Sequence, residues 1–108
     1  MDSEWTFFSN YAHVLVCLAE NPRARLREIA DRVGVTERTA MRLITQLDNA
    51  GILTRVKRGR RNEYKIVYNE NLRHPIESHC TVKQMLNMIL KSRPESETAP
   101  ADNPGEHK

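Results

Sequence analysis

Hydrophobic spacing changes several times along the chain, and each change predicts an element. From about Glu4 to Glu20 the apolar residues Trp5, Phe7, Phe8, Tyr11, Ala12, Val14, Leu15, Val16, Cys17, Leu18 and Ala19 crowd almost every face of a predicted helix. Ser3 is placed to cap it, and Asn21-Pro22 ends it because the residue before a proline disfavours the helical region. Leu26, Ile29, Ala30 and Val33 follow at i, i+3, i+4 and i+7, predicting a second helix that Gly34 stops. Thr36 then caps a third helix to about Ala50, with Ala40, Leu43, Ile44 and Leu47 on its inner side and Gly51 beyond its end.

After Gly51 the period shortens from 3.6 to 2. Ile52 to Arg58 and Glu63 to Tyr68 read as two strands joined by the turn Gly59-Arg60-Arg61-Asn62, with Tyr64, Ile66 and Tyr68 on one face of the return strand. A bridge near Arg25-Leu26 would add a third strand. Asn69 to Ser78 has no clear period and reads as a connector. Val82, Met85, Leu86, Ile89 and Leu90 then line a last helix from about Thr81 to Lys91. The pattern predicts a mainly helical α+β fold in one domain over residues 1–91. Residues 92–108 are rich in Pro, Glu, Ser and Ala and are expected to be a disordered tail.

The first helix carries more apolar surface than one packing contact can hide, and the last follows a hairpin that leaves it little local core. Both are therefore expected to meet a second copy of the chain, through Trp5, Phe8, Tyr11 and Leu15 on the first and Val82, Met85, Leu86 and Ile89 on the last.

Composition narrows the class. The chain has 108 residues, 39% hydrophobic and 29% charged, which suits one modest globular core. No apolar run nears the roughly 20 residues that span a bilayer. The N-terminus MDSEWTFF lacks the basic flank and cleavage site of a secretory signal, so a cytoplasmic location is expected. Cys17 and Cys80 lie far apart with no zinc-finger spacing and read as reduced thiols. No phosphate-binding loop, GxSxG or HExxH occurs, so neither an enzyme nor a cofactor is expected.

Charge adds a direction. The net charge is only +3, yet the window from Pro22 to Lys65 holds 12 Lys/Arg against 5 Asp/Glu, a local balance of +7. Such a gradient aims the middle of the chain at a polyanion. On the third helix, Arg38, Arg42, Thr45 and Asn49 fall opposite the apolar side, flanked by Met41 and Gln46. A solvated helix usually mixes both signs; this one presents cationic and hydrogen-bonding groups. The hairpin adds Arg55, Lys57, Arg58, Arg60 and Arg61. Basic residues on a hairpin also deter edge-to-edge pairing, but four within Lys57–Arg61 exceed that need.

These residues carry a resemblance. Leu26 to Leu53, with its A-x₃-G-V-[ST] turn (Ala30, Gly34, Val35, Thr36) and L-x-x-A-G-[IL]-[LV] exit (Leu47, Ala50, Gly51, Ile52, Leu53), resembles the winged helix-turn-helix regulators of the MarR/ArsR-like group, and RVKRGRRNEYKI resembles their wing. The resemblance implies a recognition helix, Thr36–Ala50, in the major groove of double-stranded DNA. Thr36, Arg38, Thr39, Arg42, Thr45 and Gln46 then face the groove, and Lys57, Arg58, Arg60 and Arg61 lie on the backbone or in the minor groove. Arg38 and Arg42 suit guanine O6 and N7; Thr36 and Thr39 suit phosphate at the helix start. Glu37 divides evenly between accepting from a cytosine amine and simply favouring the helix dipole. The resemblance further implies a homodimer joined by first and last helices, a pseudo-palindromic operator, and repression by occlusion.

ArsR-like proteins often sense metals, but His13, His74, His79, Cys17 and Cys80 show no ligand spacing, and no metal is expected. No small-molecule effector can be named. The competing reading is a winged-helix module that holds a partner protein; its surfaces should then be aromatic and apolar rather than arginine and threonine.

Overall fold

The computed structural model describes residues 5–92. The elements run α1 (Asn10–Glu20), α2 (Leu26–Val33), α3 (Glu37–Asn49), β1 (Leu53–Arg58), β2 (Arg61–Ile66) and α4 (Val82–Lys91). The expected tail and the Ser3 cap lie outside the described residues.

Punctuation explains most boundaries. Gly34 takes φ +89° after α2, and its amide bonds Ala30 O at 2.8 Å, the left-handed stop that glycine supplies without a Cβ penalty. Thr36 accepts from the Thr39 amide at 3.0 Å, satisfying one of the orphan donors of α3. Thr81 and Gln84 cap α4 reciprocally, the hydroxyl accepting from the Gln84 amide at 3.1 Å and the Gln84 side chain accepting from the Thr81 amide at 2.9 Å.

One boundary differs from expectation. α1 begins at Asn10 rather than Glu4, with Ser9 as its first non-helical neighbour. The aromatic and β-branched run from Trp5 to Phe8 has low helix propensity. It settles instead into a local knot: Trp5 and Phe7 meet edge to face at 4.9 Å, and the Thr6 hydroxyl donates to Phe8 O.

α1 is the centre of the domain. It packs against α2, α3, α4 and β2, and it contributes Val14, Leu15, Cys17 and Leu18 to a core with Ile29, Ile44, Leu53, Val82 and Leu86. This corrects the argument from its excess of apolar surface. The second face is covered by α4 of the same chain, so Leu15, Val82, Met85 and Leu86, expected at a subunit contact, are buried within one chain. The 67–81 segment makes this return possible. It is pinned by Leu72 N–H to Cys80 O, Val82 N–H to Glu70 O and Arg73 Nη2 to Ala50 O, each below 3.0 Å.

β1 and β2 form a two-stranded antiparallel hairpin in the register Leu53↔Ile66, Arg55↔Tyr64, Lys57↔Asn62 and Arg58↔Arg61. Its turn is only Gly59-Arg60, tighter than expected, with Gly59 at φ +65° as glycine-first two-residue hairpins require. Arg61 and Asn62 therefore belong to β2. Among the described residues no third strand forms near Arg25; the α1–α2 loop instead reaches the sheet through Tyr64 N–H to Pro22 O, 2.9 Å.

Candidate nucleic-acid interface

Two surfaces converge on one side of the domain: the outward face of α3 and the hairpin that follows it. The inner face of α3 is fixed by Ala40, Leu43, Ile44 and Leu47, all buried. At 3.6 residues per turn this fixation turns Arg38, Arg42 and Asn49 outward, and all three are exposed. Thr45 and Thr39 are half-buried; Thr36 and Gln46 are exposed. Among the described residues neither Arg38 nor Arg42 pairs with a carboxylate, so both guanidinium forks are open to a ligand. Glu37, by contrast, lies 4.0 Å from Arg27, a loose exposed pair.

The same helical geometry places Gln46 and Asp48 about 80° to either side of the Arg38 direction. Each flank is tied to a different neighbour. On one, the Tyr11 hydroxyl of α1 donates to Gln46 Oε1 at 2.5 Å. On the other, Arg55 of β1 donates from Nε to Asp48 Oδ2 at 2.9 Å, and its Nη1 lies 3.7 Å from Met41 Sδ. The outward face is thus held between α1 and the wing that follows.

The wing residues divide by what they touch. Lys57 and Arg60 are exposed and have no partner among the described residues, and Arg60 sits at the tip. Arg58 donates to Glu63 Oε1 at 3.0 Å, across the strand pair. Arg61 donates to Arg23 O at 3.2 Å, bracing the hairpin against the α1–α2 loop. Four basic groups that looked equivalent in sequence therefore comprise two open ones and two with internal partners. Arg55, counted with them in sequence, faces inward and serves the Asp48 contact.

Of the residues expected at a subunit contact, Trp5 (67% exposed) and Tyr11 (38%) remain at the surface, and Phe8 and Ile89 are half-buried along one cleft with His13 and Val16. Phe7 (90%) and Met88 (54%) are also exposed. Reading the sequence missed the Tyr11–Gln46 and Asp48–Arg55 links. Both join elements whose relative placement is set by tertiary packing, and no local period signals them.

Elsewhere, burial pushes the Cys17 thiol up from its ordinary value, against the nearby positive charge of Arg32. Among the described residues no three of His, Cys, Asp or Glu converge in a way that would hold a metal ion. No helix among them is long and apolar enough to cross a membrane.

Residues 9–60, from the first residue before α1 to the wing tip, match the MarR family model. Among solved structures the chain is similar to the PcaV transcriptional regulator from Streptomyces coelicolor, determined in complex with its natural ligand. The identity is 26% over 90% of this chain and 70% of that one, with a TM-score of 0.49. No curated protein matched. The matched segment holds α1, the helix-turn-helix of α2 and α3 and the first wing strand, so over these residues the chain is similar to the MarR family.

Proposed function

We propose that the chain is a sequence-specific repressor that binds double-stranded DNA as a homodimer in the cytoplasm, with residues 1–91 as the binding unit. The observation that carries this reading is the outward face of α3, where Arg38 and Arg42 stand exposed and unpaired among the described residues beside an open wing tip. A major groove about 12 Å wide admits such a helix, and an arginine fork matches guanine O6 and N7. Thr36 and Thr39 lie at the helix N-terminus, where amide groups and dipole favour phosphate. Thr45 and Gln46 extend the reading surface toward the helix end. Lys57 and Arg60 follow the backbone or enter the minor groove, with Arg58 and Arg61 adding charge close by.

Two-fold pairing is supported by the apolar surface of Trp5, Phe7, Phe8, Met88 and Ile89. This contact set is smaller than the sequence alone implied. A two-fold dimer would meet half-sites one helical turn apart, about 34–36 Å, and therefore a pseudo-palindromic operator.

The test is selection of bound fragments from a random duplex pool, then a salt titration on the winning duplex. A specific duplex whose affinity falls linearly in log salt, protected over two half-sites, is expected. A protein that retards no duplex at low salt would be a protein-binding winged helix instead. Protection of a single half-site by a monomer would remove the dimer.

A further inference from the structure

Tyr11 stands on the first turn of α1, yet its hydroxyl crosses 35 residues of sequence to reach the outward flank of α3. What it grips is the oxygen of the Gln46 side chain, Oε1, at 2.5 Å. A glutamine amide has two chemically opposite ends: the oxygen only accepts and the nitrogen only donates. With the oxygen held by the phenol, the NH₂ end is left for the outward side, and no partner engages it among the described residues.

From this geometry we infer that Tyr11 is a positioning residue that sets the base preference of Gln46. The inference rests on α3 being the helix that enters the major groove. A free glutamine suits adenine, because it can accept from N6 and donate to N7 together. A glutamine whose oxygen is turned back to Tyr11 presents donors alone. Donors alone match guanine best, which displays two acceptors in the groove, O6 and N7, whereas adenine offers them N7 only and leaves its N6 without a partner. Gln46 therefore reads guanine in preference to adenine, and the Tyr11 hydroxyl makes that choice from outside the interface.

The experiment compares base preferences selected from a randomised duplex pool by the full-length wild-type chain, Tyr11→Phe, Gln46→Ala and the double variant. Tyr11→Phe keeps the ring and removes only the donor. It is expected to raise adenine at one position of each half-site by on the order of tenfold, the rest of the profile unchanged. Gln46→Ala flattens that same position. In the double variant the tyrosine change adds nothing there, the mark of two residues acting through one contact. Gln46→Glu, which keeps an acceptor for the phenol and turns a second oxygen outward, moves the position toward cytosine. The inference is overturned if the wild type already selects adenine there, if Tyr11→Phe shifts every position alike or none, or if Gln46→Glu leaves the position as it was. A wild type that selects a defined operator which Gln46→Ala leaves intact overturns this inference alone. A wild type that selects no sequence overturns it together with the DNA-reading assignment.

Discussion

Arg55 donates to Asp48 at 2.9 Å, so the first strand of the wing is tied to the last turn of α3 rather than left to point at a ligand. Both side chains are about 30% exposed, which limits the energy of the pair. Its value lies in geometry, since it fixes the angle between helix and wing. The two possible roles of Arg55 make opposite predictions for Asp48. Were Arg55 simply a phosphate contact, Asp48→Ala would remove a negative charge near DNA and tighten binding. As a strut, Asp48→Ala weakens binding about as much as Arg55→Ala does, and the double variant is little worse than either. Fluorescence anisotropy on a labelled operator would separate these outcomes.

Arg42 and Arg60 should fail in different ways. Arg42 sits mid-helix on the outward face, so Arg42→Ala is expected to cost about 1–3 kcal/mol on the operator and relax preference at one base position. Arg60, at the wing tip, should weaken all duplexes evenly when changed to alanine and lower the salt slope by about 1. Binding isotherms on operator and scrambled duplexes at several salt concentrations provide the check. Equal effects of both changes on both duplexes would exclude α3 as the reading helix.

The parts of this architecture that could be read from sequence are those written locally. Gly34 needs a left-handed turn, Thr36 needs to cap, and the shift from period 3.6 to period 2 after Gly51 needs a hairpin; each stands where the chain order placed it. The start of α1 is not legible in the sequence because apolar crowding around Trp5–Phe8 looks helical on a wheel while its residue types resist the helix. The fate of Leu15, Val82 and Leu86 was illegible for a different reason. An apolar face states that it must be covered, and only the return of α4 onto α1 states by what. The same holds at the interface, where Arg58 and Arg61 look like Arg60 until Glu63 and the Arg23 carbonyl are found beside them.

The helix-turn-helix itself offers a stability test free of DNA. A Cβ at Gly34 would meet nothing within 4 Å, so the cost of Gly34→Ala comes from the backbone at φ +89° rather than from a clash. A loss of about 1–2 kcal/mol is expected by urea denaturation. Thr36→Ala should cost about 1 kcal/mol through the lost cap, while Thr36→Ser keeps the hydroxyl and most of the stability. A Gly34→Ala variant as stable as wild type would mean that the turn between α2 and α3 relaxes more freely than the structure implies.

Thiol chemistry distinguishes the two cysteines. Cys17 is buried among the core residues of α1, and burial raises its pKa, so little thiolate forms near neutral pH. Cys80 is half-exposed at the end of the connector. Under limiting iodoacetamide at neutral pH the folded protein should be alkylated at Cys80 first, by at least an order of magnitude in rate, with Cys17 labelled only as the core opens. The sign of the pH effect follows from the same shift. In the window above the ordinary thiol pKa the unfolded chain gives up a proton that folded Cys17 keeps, so this group makes stability fall as pH rises through that window. Denaturation midpoints for wild type and Cys17→Ala on either side of the window should therefore converge as pH increases. Equal labelling rates for the two thiols in the native state would show that the core around Cys17 opens far more often than its packing suggests.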